Sequence, residues 1–149
     1  MTATSHAVIG TVIAAKIGNP AVAIPIALAS HVIADLIPHW DTGVNRHKET
    51  KQRFFWNTVA DVLIGVVICL AIIYFFFPTL AIHYALLIVI FASLPDILTA
   101  PYLFFDWKFP PFTWAYKIQK SFDNGEDSAF GRYGQIAIIA IVVIVGKLL

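Results

Sequence analysis

Histidine and aspartate residues recur along this 149-residue chain at positions that favour metal chemistry. His31 and Asp35 lie four residues apart, a spacing that places both side chains on one face of a helix. His39 and Asp41 follow shortly after them. Imidazole nitrogens and carboxylate oxygens together form the ligand set of zinc, manganese or iron. The pattern therefore predicts a divalent metal site, with zinc as the first choice of ion.

Three further ionisable residues, His6, Asp61 and Asp96, lie inside or at the start of long apolar stretches. Such groups are costly within a membrane, so they usually face a partner or a water-filled cavity. We therefore predict that the metal ligands are His6, His31, Asp35, His39, Asp61 and Asp96. Carboxylates that do not bind metal would act as the catalytic base, and the candidates are Asp61, Asp96 and Asp41.

The composition indicates whether the chain lies in water or in a membrane. Hydrophobic residues make up 59% of the chain and charged residues 13%, with a mean hydropathy of +0.79. Soluble domains are usually about 45–50% apolar and about 25% charged, so the composition indicates a membrane protein. A net charge of +1 without a basic stripe argues against a nucleic-acid partner. The single cysteine excludes an internal disulfide.

Five apolar stretches predict an all-α fold. The longest reach the ~20 residues that cross a hydrocarbon core, and helices satisfy their backbone polar groups internally. We predict one integral membrane helical bundle over residues 1–149, with about five transmembrane helices. The predicted spans cover residues 5–17, 21–37, 54–77, 80–105 and 133–148.

Basic residues predict the orientation of these spans. Eight of the ten Lys and Arg residues lie in two loops, 39–53 and 106–132, which would share one side of the membrane. By the positive-inside rule that side is cytoplasmic, so the N-terminus is cytoplasmic and the protein is a multi-pass protein of the inner (plasma) membrane. The predicted ligands would then gather at the cytoplasmic ends of the helices, whereas His83 would lie at the opposite end.

The region between the last two predicted spans has two parts. Residues 106–122 mix aromatic residues with lysines, which suits an interfacial loop or a short amphipathic helix. Residues 121–134 are polar and contain glycines, so we expect a mobile loop there.

Three short motifs resemble those of the YdjM-like family of inner-membrane-associated metal-dependent hydrolases. Ser5-His6 followed by Gly10 resembles the family's Thr-His…Gly opening. The segment from Ser30 to Asp41 resembles its His-x-x-x-Asp helix and its Pro-Asp-x-Asp-His turn, which reads Pro-His-Trp-Asp here. Leu94-Pro95-Asp96 resembles a further Pro-Asp element, and the likeness covers roughly residues 4 to 100. The resemblance implies a multi-helix membrane hydrolase with a metal site, and the positions that match are His6, His31, Asp35, His39 and Asp96.

These observations favour a membrane-embedded, metal-dependent hydrolase. Its substrate, and its expected partner, would be a phosphoester or ester of a lipid-like molecule at the cytoplasmic leaflet; the oligomeric state stays open. One alternative is a component that conducts protons or ions, since intramembrane Asp and His also build relays. A relay would spread its polar groups through the membrane, whereas these gather at one end. The other alternative is a non-enzymatic membrane subunit with a structural metal.

Overall fold

The computed structural model describes residues 1–149 and is all-α, with seven α-helices, one 3₁₀ helix and no strand. The first four α-helices are α1 (Ala3–Lys16), α2 (Pro20–Leu36), α3 (Lys51–Phe76) and α4 (Ile82–Ala92). They are followed by α5 (Leu94–Phe104), α6 (Phe112–Phe122) and α7 (Ala129–Leu148). The 3₁₀ helix covers Arg46–Lys48, between α2 and α3. The all-α prediction is confirmed.

The starts of the first three helices are fixed by local sequence. The side chains of Thr2, Asn19 and Thr50 each accept a hydrogen bond from a backbone N–H of the first turn, as N-cap residues do. Pro20 follows Asn19 at the first position of α2, where a missing N–H costs nothing. These caps explain why the helices begin close to the predicted bounds.

Two helices, α3 and α7, are long and apolar enough to cross a membrane. A third span is possible if α4 and α5 count as one, although they are bent by 59° relative to each other. The stretch predicted as one helix over residues 80–105 is therefore two helices. Pro95, in the first turn of α5, explains the break because proline has no N–H to continue the hydrogen bonds of α4 and its ring clashes with the carbonyl group four residues earlier. The remaining helices are shorter, so the count of five spans stays a prediction.

Helix α1 lies at the centre of the bundle and packs against α2, α3, α4 and α7. Small residues line its closest approach to α4. A Cβ atom added at Gly10 would lie 2.9 Å from the Cβ atom of Ala92 and 3.1 Å from the Cα atom of Val89. Small residues at such contacts allow two backbones to come near each other, as in membrane bundles generally. This close packing places the first turns of α1 beside the end of α4.

Helix α6 is the short amphipathic helix expected within residues 106–122. It packs on α5 and leaves Trp114 and Ile118 exposed. The loop after it turns back onto the end of α2: Asn124 donates its backbone N–H to the carbonyl of Asp35 at 2.9 Å, and Glu126 donates to that of His39 at 2.7 Å. The loop that we expected to be mobile is thus tied to the predicted ligand region by backbone hydrogen bonds.

Candidate metal centre

The structure brings together side chains from four parts of the chain. His6 lies near the start of α1, His31 and Asp35 lie in the last two turns of α2, and His39 follows α2. All four are almost completely buried, with exposed fractions of 2% or less. Asp96, in the first turn of α5, approaches the same point and is 35% exposed. Five of the predicted ligands therefore meet at one place.

The carboxylate of Asp35 is the centre of this arrangement. Its Oδ1 atom lies 3.1 Å from Nε2 of His6 and 3.9 Å from Nε2 of His39. Its Oδ2 atom lies 3.2 Å from Nε2 of His31. The α-amino group of Met1 also donates a hydrogen bond to Oδ1. One buried carboxylate is thus surrounded by three imidazoles and already pairs with one cation.

The ligand atoms form two groups that could each hold a metal ion. The first group consists of His6, His31 and Asp96, and the second consists of His39, Asp41 and Asp123; within each, the ligand atoms lie within 4.8 Å of one another. Around a tetrahedral ion with bonds of about 2.1 Å, ligand atoms are about 3.4 Å apart. In the second group, Nε2 of His39 lies 3.5 Å from Asp41 and 3.4 Å from Asp123. In the first, Nε2 of His31 lies 3.8 Å from Asp96. Asp35 stands between the two groups and contacts both.

The orientation of two histidines is fixed by backbone carbonyls. Nδ1 of His31 donates to the carbonyl oxygen of Ala92 at 2.7 Å, and Nδ1 of His39 donates to that of Ile37 at 2.8 Å. A carbonyl can only accept, so Nδ1 carries the proton and Nε2 is directed at the centre. Metal-binding histidines are commonly held in this way.

Three buried Nε2 atoms, those of His6, His31 and His39, have no hydrogen-bond partner of acceptable geometry. Buried polar atoms of proteins are nearly always satisfied. The rings of His6 and His31 also stack, with centroids 3.8 Å apart, an arrangement that two positively charged rings would resist. Three unsatisfied nitrogens among four carboxylates could serve as ligands of a divalent ion.

The second group lies in loops at the end of the bundle, and its charges are coupled. Burial by itself lowers the pKa of His39, but the carboxylates of Asp123 and Asp41 outweigh burial and raise the pKa to about 9. In turn, the hydrogen bond from His39 lowers the pKa of Asp123, with Lys120 adding to the effect. Both shifts show that this position favours positive charge at Nε2 of His39.

The two loop carboxylates each keep one oxygen for a ligand. Oδ1 of Asp41 accepts the backbone N–H groups of Gly43 at 2.7 Å and Val44 at 2.9 Å, so Oδ2 faces His39. Oδ2 of Asp123 pairs with Lys120 at 3.1 Å, whereas Oδ1 is buried without a hydrogen-bond partner and faces His39. The local bonds therefore fix both carboxylates and leave one oxygen of each directed at the centre.

Asp61 belongs to neither group and, unlike Asp35, it contacts none of the histidines. Its carboxylate accepts the backbone N–H of Ala3 at 2.7 Å and of Thr4 at 3.3 Å, and the hydroxyl of Thr4 at 2.7 Å. These donors form the first turn of α1, which carries partial positive charge. In the structure Asp61 joins α3 to the start of α1, next to the centre rather than in it.

Asp123 is the residue that sequence reasoning missed. It lies in the polar loop after α6, far along the chain from the motifs near residues 31–41. Lys120 lies three residues before Asp123, and this spacing suggests an ordinary ion pair rather than a metal ligand. The available signal was a carboxylate directly after an amphipathic helix on the same predicted side of the membrane. Gln119, which donates its Nε2–H to Oδ1 of Asp96, was missed for the same reason.

Comparisons with known proteins identify no relative of this chain. No family model, no curated protein and no solved structure matches the chain. The resemblance to the YdjM-like hydrolases therefore stays a prediction from short motifs.

Proposed function

We propose that this chain is a membrane-embedded, metal-dependent hydrolase that cleaves a phosphoester or ester of a lipid-like substrate at the cytoplasmic leaflet. One observation carries the proposal: three buried histidine Nε2 atoms without hydrogen-bond partners converge on the carboxylate of Asp35. The first group would hold one ion, the second group another, and Asp35 would contact both.

The proposed ions are divalent, and zinc suits the mixed nitrogen and oxygen ligands best, with manganese or iron as substitutes. Bound divalent ions lower the pKa of water to near neutrality and neutralise charge on a phosphoryl or carbonyl oxygen. The chain's own residues hold and orient these charges. The carbonyls of Ala92 and Ile37 fix the imidazoles of His31 and His39, and the loop N–H groups fix Asp41.

Hydrolysis requires a proton acceptor for the attacking water and a proton donor for the leaving oxygen. A bond forms between the water oxygen and the phosphorus or carbonyl carbon, and the bond to the ester oxygen breaks. Asp96 is the proposed acceptor, because it borders a cavity of about 680 Å³, is partly exposed and has a second oxygen, Oδ2, that accepts no hydrogen bond within the chain. Asp41 suits this role less well, because its Oδ1 accepts from Gly43 and Val44 and its Oδ2 faces the second group. The proton taken from water then passes to the departing oxygen.

This cavity favours catalysis over the alternatives. A structural metal site is closed by its protein ligands, whereas a catalytic site keeps a position open. The carboxylates of Asp41, Asp96 and Asp123 all line the cavity, which supports an open position. A proton path would need ionisable groups deeper in the bundle. The buried His and Asp residues all belong to the metal centre, and the other buried polar side chains are those of Ser5, Thr11, Thr99 and Gln135.

We also place the protein in the inner (plasma) membrane as a multi-pass protein with five spans and a cytoplasmic N-terminus. The support is the distribution of lysine and arginine together with the apolar helices α3, α7 and α4–α5. The metal centre would then lie near the cytoplasmic interface.

The direct test is hydrolysis by protein purified in detergent and loaded with zinc. p-Nitrophenyl phosphate and p-nitrophenyl butyrate would report phosphoester and ester cleavage. We expect turnover of at least one of them, lost on chelation and in Asp35→Asn. Zinc-loaded protein that cleaves neither these compounds nor a long-chain phosphoester would contradict the proposal.

A further inference from the structure

The cavity beside the metal centre has a lining of two chemical kinds. The carboxylates of Asp41, Asp61, Asp96 and Asp123 line it. Aliphatic side chains of α3, α4 and α5 also line it, among them Val62, Val66, Leu86, Ile90 and Ile97. Val66 and Leu86 lie more than one helical turn along the chain from Asp61 and Asp96, so one end of the cavity is apolar. A volume of about 680 Å³ lies in the range of pockets that hold a small ligand. A ligand that fills this cavity must therefore be polar at one end and apolar at the other.

The apolar end is open at the side of the bundle. Val62, Ile90 and Ile97 line the cavity and are also 46%, 51% and 48% exposed. They lie on α3, which is long and apolar enough to cross a membrane, and on α4–α5, which would be a further span if the bent pair counts as one. An opening between these helices would face hydrocarbon, so an apolar chain could enter it without passing through water.

An arginine without a carboxylate partner lines the same cavity. Arg46 donates from Nη2 to the hydroxyl of Tyr116 at 2.8 Å, and its guanidinium lies 5.6 Å from the centroid of that ring. Tyr116 in turn stacks on Tyr102, with centroids 4.2 Å apart. Arg46 forms no ion pair within the chain. A guanidinium has five N–H donors, and Arg46 uses only one of them, in the bond to Tyr116. The side chain is therefore fixed in position, but its positive charge is not neutralised by a carboxylate.

We infer that the substrate is a phosphate ester carried on a long hydrocarbon chain and drawn from the surrounding bilayer. This inference rests on the proposed hydrolase function and narrows it. The phosphate lies between the metal centre and the guanidinium of Arg46, and the chain occupies the groove lined by Val62, Val66 and Ile97. Arginine pairs with phosphate through two parallel hydrogen bonds. A neutral ester would leave the positive charge of Arg46 without a partner. A short, soluble phosphate ester would leave the aliphatic half of the cavity unfilled.

The test measures binding to zinc-loaded protein in detergent micelles with three probes: hexadecyl phosphate, hexadecyl acetate and inorganic phosphate. The wild type should bind hexadecyl phosphate at least tenfold more tightly than hexadecyl acetate. Arg46→Gln should weaken the binding of hexadecyl phosphate and of inorganic phosphate by about tenfold or more, the usual range for a lost hydrogen bond to a charged group. Arg53→Gln, an exposed arginine outside the cavity, is the matched control and should bind both as the wild type does.

The groove is tested by filling it. Val66→Trp should weaken the binding of hexadecyl phosphate at least tenfold and leave the binding of inorganic phosphate unchanged. Val67→Trp, at an exposed neighbour outside the cavity, should change neither. Ile97→Trp, on α5 rather than α3 and also in the cavity lining, provides a second blocking variant should Val66→Trp not fold. Zinc content is measured in every variant and should equal that of the wild type.

Each failure has a separate meaning. If Val66→Trp and Ile97→Trp bind hexadecyl phosphate as tightly as Val67→Trp does, the hydrocarbon chain does not occupy the groove. The substrate would then be a soluble phosphate ester. If the wild type binds hexadecyl acetate as tightly as hexadecyl phosphate, the site does not recognise a phosphate group, and that part of the inference is wrong. A wild type that binds no zinc would instead overturn the proposed function itself.

Discussion

The imidazole of His31 donates its Nδ1–H to the carbonyl oxygen of Ala92, the last residue of α4, over 2.7 Å. The end of a helix leaves its last carbonyl groups without partners inside the helix, so this bond satisfies one of them and orients a proposed ligand at the same time. Ala92 also lies against Gly10 of α1. The position of α4 relative to α1 therefore governs the position of His31.

Gly10→Ala should disturb both packing and metal binding. Its new Cβ would lie 2.9 Å from Ala92 and 3.1 Å from Val89, so α4 must move. We expect a loss of about 1–3 kcal/mol in stability from overpacking and weaker zinc binding, measured by thermal unfolding in detergent and by zinc titration. The control is Gly134→Ala, whose Cβ would meet only Phe130 at 4.0 Å. Unchanged zinc affinity in Gly10→Ala would show that the bond to Ala92 does not depend on this contact.

Metal content should follow the two groups of ligands. We expect the wild type to hold about two ions per chain, one for each group, by elemental analysis. His31→Ala should retain about half of that, and Asp35→Ala less, because Asp35 contacts both groups. His83→Ala, on an exposed residue at the start of α4, should retain full content. Full occupancy in His31→Ala would remove the chemical basis of the hydrolase proposal.

Asp123→Asn tests the ligand that the sequence did not reveal. Loss of its charge removes a carboxylate 3.4 Å from Nε2 of His39, so the second group should lose its ion while the first keeps its own. Asp127→Asn in the same loop is the control, because Asp127 is exposed and pairs with Arg132. If both variants bind the same amount of metal as the wild type, the second group contains only His39 and Asp41 as ligands.

Asp61→Ala should lower stability rather than metal content. The substitution removes the acceptor for two backbone N–H groups and one hydroxyl at the start of α1, and hydrogen bonds to charged groups are worth about 1.5–3 kcal/mol each. The melting temperature should therefore fall at saturating zinc, with zinc content preserved. Asn57→Ala, one turn earlier and exposed, is the comparison. Loss of zinc without loss of stability would instead support Asp61 as a ligand.

The two basic loops should lie on the same side of the membrane. Arg46 in the first loop donates to Tyr116 in α6, which requires both segments at one end of the bundle. Single cysteines at Lys48 and Lys117, both exposed, should react with a membrane-impermeant thiol reagent from the cytoplasmic side, in a Cys69→Ala background. Labelling of the two positions from opposite sides would contradict the arrangement.

Local patterns predicted the parts of the structure that depend on neighbours in sequence. The spacing of His31 and Asp35 placed them on one face of α2, and the structure shows their side chains 3.2 Å apart. Proline and polar caps fixed the helix ends. The bend between α4 and α5 is also a local effect of Pro95. The prolines in this stretch indicated an interruption, but the stretch was predicted as one span because its hydropathy is high on both sides of Pro95 and does not reveal the angle of 59°.

Contacts between distant segments could not be read in the same way. A lone aspartate within an apolar stretch predicts that Asp61 has a partner, but not whether that partner is a metal ion or the N–H groups of α1. Asp123 lies in a polar loop where a carboxylate is ordinary. Only the backbone bonds that join this loop to Asp35 and His39 bring it to the centre, and no periodicity encodes them.

The order of the ligands along the chain has a consequence for how the centre is made in the cell. The first group is complete once Asp96 has been synthesised, whereas the second also waits for Asp123. At the usual rate of synthesis of about 5–20 residues per second, about 1–5 s separate these two events. During that interval Asp35 and His39 lack the loop that closes over them. A newly made chain would therefore offer one complete set of ligands to metal before it offers the second.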